Sequence, residues 1–198
     1  MINENNNNII KLILVGDSGT GKTNLINVSA GLEFDSDSPT TTSCSYIQKI
    51  IKRNKKKYKV NLWDTIGQER YRALTKIFVK DSNIVIFVYD ITNRETFESL
   101  PYWKKIIEDI LGKDLTLGVV GNKIDLFLNE KVKENEGEEY AESIGAKFIL
   151  TSAKINPNQF SKFIEEMLDI YLRKNKLGNL NDSINISSSL PSNNKKCC

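Results

Sequence analysis

The chain has 198 residues, 39% of them apolar and 27% charged, which suits one globular domain of ordinary size with a tail left over. No window approaches the ~18 consecutive apolar residues that a membrane-spanning helix needs, and the polar, Asn-rich start predicts no secretory signal. The net charge of +3 is carried by the residues from 173 onward, which hold +4 and leave about −1 for the rest; this balance argues against a nucleic-acid binder.

Apolar runs alternate with helical patterns along the chain, and this alternation predicts an α/β fold. Strands are predicted at residues 9–15, 84–89, 115–120 and 147–150, and residues 43–51 and 58–63 predict a hairpin around a turn at 53–57. Helices are predicted at residues 22–30, 96–111, 131–143 and 159–172. We therefore expect one six-stranded sheet, mostly parallel with one antiparallel strand, with helices on both faces.

Both ends of the chain have a composition that does not suit a packed core. Residues 1–8 are rich in Asn, and from about residue 175 the composition shifts to Asn and Ser with few apolar residues. Such segments bury too little surface to offset the entropy that is lost on ordering. We expect a disordered leader at residues 1–8, a folded domain at 9–174 and a disordered tail at 175–198.

A glycine-rich segment lies between the first predicted strand and the first predicted helix. Glycines let backbone N–H groups turn toward phosphate oxygens, and the helix N-terminus adds partial positive charge. Lys22 is expected to reach the β- and γ-phosphates, and the Thr23 hydroxyl is expected to bind Mg²⁺. The segment predicts a P-loop NTPase fold without specifying the nucleotide; the alternative is a plain glycine-rich turn. Eight residues match the pattern G-x-x-x-x-G-K-[ST]: Gly16, Asp17, Ser18, Gly19, Thr20, Gly21, Lys22 and Thr23.

Two polar segments follow predicted strands, at the edge where α/β sheets bind ligands. A carboxylate there accepts hydrogen bonds from the N1–H and N2–H₂ donors of guanine, and adenine offers no such pair of donors. Asp125 is therefore predicted to select guanine, because a buried carboxylate left unpaired by adenine is costly. The two segments contain six candidate base-binding residues: Asn122, Lys123, Asp125, Ser152, Ala153 and Lys154.

These segments resemble the N-K-x-D and S-A-K motifs of the Ras-superfamily GTPases, and they follow the phosphate loop in the family's order. The resemblance implies that Asn122 braces the phosphate loop and that Lys123 lies along the base. It also implies that the backbone N–H of Ala153 binds guanine O6, with Lys154 packed behind. The domain at residues 9–174 is then a GTPase domain, with GTP as substrate and GDP as product. One further residue, Asn24, and the already named Ser152 also belong to the implied nucleotide-binding set.

The segment between the first helix and the hairpin resembles the first switch loop of this family. Phe34 would pack edge-on against the base; the alternative is an ordinary core or loop aromatic. One threonine would give its hydroxyl to Mg²⁺ and its N–H to the γ-phosphate. Spacing to Phe34 and to Asp64 favours Thr41, and Thr40, which follows a proline, is the alternative.

Residues 63–70 resemble the family's W-D-T-A-G-Q-E segment. Asp64 would hold Mg²⁺ through a bound water, the Gly67 N–H would sense the γ-phosphate, and Gln68 would orient the attacking water. The loops contain no obvious arginine finger, so we expect slow intrinsic hydrolysis. Ile66 stands where the family has Ala, and this longer side chain raises the alternative of a nucleotide-binding scaffold with impaired hydrolysis. The implied catalytic residues are Gln68, Lys22 and Thr41, and the implied metal ligands are Thr23, Thr41 and Asp64.

Within the superfamily the chain resembles the Rab branch, through residues 16–19, 71–74 and 88–92 and the final pair Cys197 and Cys198. Two of the three cysteines are thus terminal and cannot cross-link a core, which favours a reducing compartment. A terminal cysteine pair on a disordered tail resembles the signal for two prenyl groups. The resemblance implies an exchange factor, a GTPase-activating protein, a GDP-dissociation inhibitor and effectors as partners, with no nucleic acid. It places the protein on the cytoplasmic face of membranes, as a regulator of membrane traffic, with a soluble cytosolic pool.

Overall fold

The computed structural model describes residues 8–37, 41, 45–65 and 78–187, and it describes side chains as far as residue 176, that of Ser45 excepted. The strands are β1 (Ile9–Val15), β2 (Ser45–Arg53), β3 (Lys56–Asp64), β4 (Ile84–Asp90), β5 (Thr116–Asn122) and β6 (Lys147–Leu150). The helices are α1 (Lys22–Ser29), α2 (Arg94–Glu98), α3 (Leu100–Leu111), α4 (Glu134–Ser143) and α5 (Pro157–Ser187), with a 3₁₀ helix at Ile124–Asn129.

The six strands form one sheet in the order β2-β3-β1-β4-β5-β6. Only β2 and β3 pair antiparallel, and the other neighbouring pairs are parallel. This arrangement confirms the predicted sheet of six strands with one antiparallel member. The hairpin turn is tighter than predicted, because Asn54 and Lys55 both have positive φ (49° and 64°) and close a two-residue loop whose twist suits the strands.

Helices cover both faces of the sheet, as predicted. In β4 the side chains of Ile84, Ile86 and Val88 pack into the core shared with α1 and α5. The alternate residues of the same strand pack on the opposite face with α3 and α4. Every residue of β4 is buried. The sequence of this central parallel strand is therefore a nearly continuous apolar run, because both faces of the strand are covered by helices.

Several helix boundaries differ from the predictions. The helix predicted at 96–111 is two helices: the Asn93 side chain caps α2 by accepting from the Glu95 N–H, and α3 restarts with a proline in its first turn, where no N–H is needed. Helix α4 begins at Glu134 because the N–H groups of Lys131 and Val132 donate to the Ile91 carbonyl instead (2.8 and 3.1 Å).

The last helix reaches Ser187, beyond the predicted end at 172. Extending a formed helix adds one hydrogen bond per residue fixed, so a polar sequence can continue it more easily than it could start one. Residues 1–7 and 188–198 lie outside the described part, and the predicted leader, domain limits and tail stay predictions. No helix within the described residues combines the length and the apolar character needed to cross a membrane.

Candidate nucleotide-binding site

A cavity of about 400 Å³ opens at the carboxyl ends of the parallel strands. Fourteen predicted residues line it, while Gly16, Asp17, Thr20 and Asp64 lie in the adjacent structure without lining it. The predicted residues Gly67 and Gln68, together with Ile66 and Thr40, fall outside the described residues. The structure therefore brings the phosphate loop and both base segments to one place. The fourteen lining residues are Ser18, Gly19, Gly21, Lys22, Thr23, Asn24, Phe34, Thr41, Asn122, Lys123, Asp125, Ser152, Ala153 and Lys154.

Two positions of the phosphate loop require glycine. Gly16 has a φ of 146°, and a β-carbon there would lie 2.1 Å from the carbonyl oxygen of Val88 in β4. Gly21 has a φ of 89°, and a β-carbon there would lie 2.4 Å from the Asn122 side-chain nitrogen. Both φ values are in the range that side chains disfavour. The loop can thus turn onto the first helix only without side chains at its two ends.

Lys22 extends its ammonium back along the phosphate loop. Its Nζ donates to the carbonyl oxygens of Gly16 (2.8 Å) and Asp17 (2.7 Å), and the residue is 5% exposed. Burial lowers the pKa of Lys22 to about 8, and the charges of Asp64 and Asp17 partly oppose this shift. Carbonyl oxygens stabilise the ammonium less than a carboxylate does. An anion that binds in the cavity would therefore be attracted to the charge of Lys22.

Three oxygen-bearing side chains meet beside Lys22. The Thr23 hydroxyl donates to Asp64 Oδ2 at 2.7 Å and lies 2.8 Å from the Thr41 hydroxyl, which donates to the same Oδ2 at 3.3 Å. Asp64 Oδ1 is buried and has no hydrogen-bond partner among the described residues. Burial raises the pKa of Asp64, against the Thr23 hydrogen bond, the Lys22 charge and the Thr41 hydrogen bond. An unpaired carboxylate oxygen beside two hydroxyls is a donor set that fits a hard cation such as Mg²⁺.

Asn122 joins three loops that are distant in the chain. Its Nδ2 donates to the Thr20 carbonyl at 2.8 Å, its Oδ1 accepts from the Ala153 N–H at 3.3 Å, and the residue is 2% exposed. These bonds hold the phosphate loop against the segments after β5 and β6. The loops that would bind phosphate and base are therefore fixed relative to each other.

Asp125 lies at the start of the 3₁₀ helix, on the cavity wall. Its Oδ1 accepts from the Ser152 hydroxyl at 2.6 Å, and the Ser152 oxygen accepts in turn from the N–H groups of Lys154 (3.1 Å) and Ile155 (3.3 Å). Ser152 is fully buried. The Ser152 hydroxyl thus orients the carboxylate of Asp125. The sequence predicted Ser152 as a nucleotide-binding residue but did not predict this contact.

A sequence profile of the Ras family matches residues 11–172. The chain belongs to the Ras family. Among its relatives, Ras-related protein Rab-21 of Homo sapiens is 41% identical over 164 residues, covering 82% of this chain and 71% of the relative. Ras-related protein RABA2b of Arabidopsis thaliana is 34% identical over 201 residues, covering 96% and 94%. The predicted resemblance is confirmed: this is a Rab-like small GTPase, an enzyme class that hydrolyses GTP to GDP.

In this Rab-like chain the segment after α1, which is predicted to begin the first switch loop, is connected to α1 by Asn24. The Asn24 side chain donates to the Asp35 carbonyl at 2.9 Å and accepts from the Asp35 N–H at 3.2 Å. This pair of bonds holds the preceding residue, Phe34, at the cavity, where its side chain is 37% exposed. Asn24 therefore lines the cavity and also helps to hold Phe34 in the cavity wall.

Several residues at the site were not predicted from the sequence. Ser36, Thr65 and Leu126 also line the cavity. The Trp103 indole donates to Asp17 Oδ1 at 2.8 Å, and Lys123 forms an ion pair with Asp90 at 2.7 Å. Trp103 lies on the apolar stripe of its helix, so its spacing indicated only a core residue. A buried indole N–H usually has a hydrogen-bond acceptor, and this was the one feature of the sequence that indicated a polar contact for Trp103.

Proposed function

We propose that this Rab-like GTPase binds GTP, GDP and Mg²⁺ in the cavity, hydrolyses GTP slowly, and acts as a nucleotide-dependent switch in membrane traffic. The observation that carries the proposal is the Asn122 side chain, which joins the phosphate loop to the segment that contains Ala153. A site that is preorganised in this way loses less freedom when the nucleotide binds. Switching would come from the two loops that the γ-phosphate and the metal order.

The phosphate end would be bound by backbone N–H groups of the phosphate loop, by the N-terminus of α1 and by Lys22. Thr23, Thr41 and Asp64 would hold Mg²⁺, directly or through water. When bound, the cation would neutralise charge on the β- and γ-phosphates. Asp64 Oδ1, which has no hydrogen-bond partner among the described residues, supports this assignment, because a buried carboxylate oxygen without a partner is costly unless a ligand compensates for it.

The base would be read by the carboxylate of Asp125, which Ser152 orients. In an Asp125→Asn variant an amide donor would face the donors of guanine, and we expect guanine affinity to fall by about 100-fold or more. Xanthosine diphosphate, which carries an oxygen in place of the 2-amino group, should bind the variant better than it binds the original protein. Competition of GDP, ADP and xanthosine diphosphate against a fluorescent GDP analogue measures this change. Asp114→Asn, a substitution near the start of β5, is the matched control.

Equal affinity of the unmodified protein for ADP and GDP would contradict the guanine assignment. An Asp125→Asn variant that kept its full preference for guanine would contradict the role of Asp125 alone. The two results separate a wrong choice of residue from a wrong choice of base.

The chemical step would need few groups, because positioning and charge neutralisation supply most of the catalysis of phosphoryl transfer. Lys22 and Thr41 would neutralise and align the γ-phosphate, and Gln68 would orient the attacking water. We expect single-turnover hydrolysis to begin slowly on addition of Mg²⁺ and to be absent in EDTA. Ile66→Ala should change the rate by less than about tenfold if Ile66 only packs in the second switch. A protein that hydrolyses only after this substitution would instead support the scaffold alternative.

Membrane attachment would come from prenylation of Cys197 and Cys198, and it would place the switch on the cytoplasmic face of membranes. The family supports this proposal through its relatives of the Rab type. The same relationship supports an exchange factor, a GTPase-activating protein, a GDP-dissociation inhibitor and effectors as partners. A soluble cytosolic pool would then exist while the inhibitor covers the lipid.

A further inference from the structure

Lys123, in the base-reading segment, has a backbone conformation that is unusual for its residue type. Its φ is 71°, in the left-handed region where a β-carbon is disfavoured. Such a conformation persists where surrounding contacts fix it. Two backbone hydrogen bonds hold this segment. The N–H of the next residue, Ile124, donates to the Thr151 carbonyl at 3.2 Å, and the Lys123 carbonyl accepts from the Leu126 N–H at 2.8 Å. These backbone bonds leave the position of the long side chain to be explained.

The Lys123 side chain ends on a carboxylate from the neighbouring strand. Its Nζ lies 2.7 Å from Asp90 Oδ2, and the two side chains are 33% and 9% exposed. Asp90 is the last residue of β4 and stands opposite Asn122, the last residue of β5, while the Ile91 N–H donates to the Asn122 carbonyl at 3.2 Å. The carboxylate therefore sits on the rigid end of the sheet, beside the segment that it contacts.

Asp90 is itself held in one orientation. Its Oδ1 accepts from the backbone N–H of Thr92 at 2.8 Å and from the Thr92 hydroxyl at 2.7 Å. Its own N–H donates to the Thr96 hydroxyl at 3.0 Å. One carboxylate oxygen is thus used to fix the group, and the other is directed to the ammonium of Lys123.

We propose that Asp90 is a positioning residue for guanine recognition, which acts by holding the Lys123 side chain in the wall of the cavity; this rests on the proposed function of the site. A lysine has a flexible stem with four carbons and would otherwise sample many conformations in water. The ion pair fixes it before the nucleotide arrives, so less conformational freedom is lost on binding. Removing Asp90 should therefore weaken guanine binding through Lys123, although Asp90 does not line the cavity.

The test is a double-mutant cycle on the full-length protein, with Asp90→Asn, Lys123→Met and the two combined. The rate of release of a fluorescent GDP analogue is measured in excess GDP. Asp90→Asn keeps an oxygen for the two bonds from Thr92 but loses the ion pair, and we expect release to become about fivefold faster. Lys123→Met should accelerate release by about tenfold or more. The double variant should release GDP at the rate of Lys123→Met alone.

The double variant separates positioning from a purely structural role. If Asp90→Asn accelerates release by its full factor in the Lys123→Met background as well, Asp90 acts independently of Lys123 and the inference is wrong. If Asp90→Asn releases GDP at the original rate while Lys123→Met is fast, the inference fails and the proposed function stands. Release at the original rate from Lys123→Met would overturn both the inference and the base-binding role of Lys123.

Two further variants control for folding. Asp114→Asn breaks another aspartate–lysine ion pair, Asp114–Lys174 (2.6 Å), which lies just before β5. This variant should leave GDP release unchanged. If Asp90→Asn does not fold, Thr92→Val removes one of the bonds that orient Asp90 and keeps the charge. This variant should accelerate release by about twofold, again only while Lys123 is present. Acceleration that persists in the Lys123→Met background would overturn the inference.

Discussion

Lys22 carries a buried positive charge at the wall of the cavity. Its ammonium contacts two carbonyl oxygens, and burial lowers its pKa from the ordinary 10.5 to about 8. In the nucleotide-free protein at about pH 9, most molecules therefore hold a neutral lysine here. A bound phosphate would favour the charged form and raise this pKa again.

This shift predicts that nucleotide binding takes up a proton in alkaline solution. Because the bound state has the higher pKa, GDP affinity should fall as the pH rises above about 8, by at most about tenfold per pH unit. Calorimetric titration at about pH 9, in two buffers with different ionisation enthalpies, measures the uptake directly. Lys22→Arg keeps its charge at this pH and should show no uptake from this position. An unmodified protein with the same flat profile as the arginine variant would contradict the role of Lys22.

Individual site residues were predictable where a local motif contains them. The spacing around Gly21 and Lys22 predicts the phosphate loop because its geometry depends on neighbours in the chain. Asp90 and Trp103 were not predicted as site residues. Their partners are 33 and 86 residues away, so the contacts exist only once the sheet and helices have packed.

At the scale of elements, α3 is connected to the phosphate loop by one side chain. The Trp103 indole donates to the Asp17 carboxylate, while the Asp17 carbonyl accepts from Lys22 and from the Thr20 hydroxyl (3.0 Å). Trp103 is 3% exposed and lies in the core on that face of the sheet. Helix α3 thus helps to hold the phosphate loop in position through Trp103.

Replacing Trp103 by Phe keeps a ring in the core and removes the indole N–H. We expect stability to fall by about 1–3 kcal/mol and GDP release to become several-fold faster, because Asp17 loses its support. Chemical denaturation and release of a fluorescent GDP analogue measure the two effects. Ile107→Val trims the same buried helix at a cost of about 0.5–1.5 kcal/mol and should leave release unchanged. Equal acceleration by both variants would mean that release follows general stability.

The sequence predicted elements well where one pattern dominated. The fully buried strand at Ile84–Asp90 and the hairpin of β2 and β3 were predicted from apolar runs and β-branched residues. The division between α2 and α3 was not found, because both halves continue the same apolar stripe and the break depends on the Asn93 cap. The predicted end of the last helix was also wrong, since its apolar stripe ends at residue 172 whereas the helix continues to Ser187.

At the scale of the whole molecule, the proposed membrane attachment depends on the last two residues. One prenyl chain gives marginal, reversible binding at ~0.8 kcal/mol per buried CH₂, so both cysteines should be needed for stable anchoring. We expect the tagged full-length protein to sediment with membranes from eukaryotic cells. Cys197→Ser and Cys198→Ser should each weaken this association, and the double variant should become soluble. Sedimentation of the double variant with membranes would contradict the lipid anchor. Cys44→Ser, which leaves the tail intact, is the control.

The fold class was predictable because alternating strands and helices admit few arrangements. The order of strands places the ends of β1, β5 and β6 at one edge, and this edge was expected to carry the ligand. The cavity's extra lining residues were not predicted. They come from loops and from the 3₁₀ helix, whose positions depend on the assembled core rather than on local spacing.

The bonds of Asn122 also have a consequence for biosynthesis. They join residues 102 and 31 positions apart in the chain. A ribosome makes the chain from its N-terminus, so the phosphate loop emerges long before Asn122, and Ala153 emerges last. A nascent chain that ends before β6 has the phosphate loop but lacks part of the base site. Guanine selectivity, as proposed for this site, would therefore be acquired only after the residues of β6 and Ala153 have been made, and tight GDP binding would report that all three segments of the site are assembled.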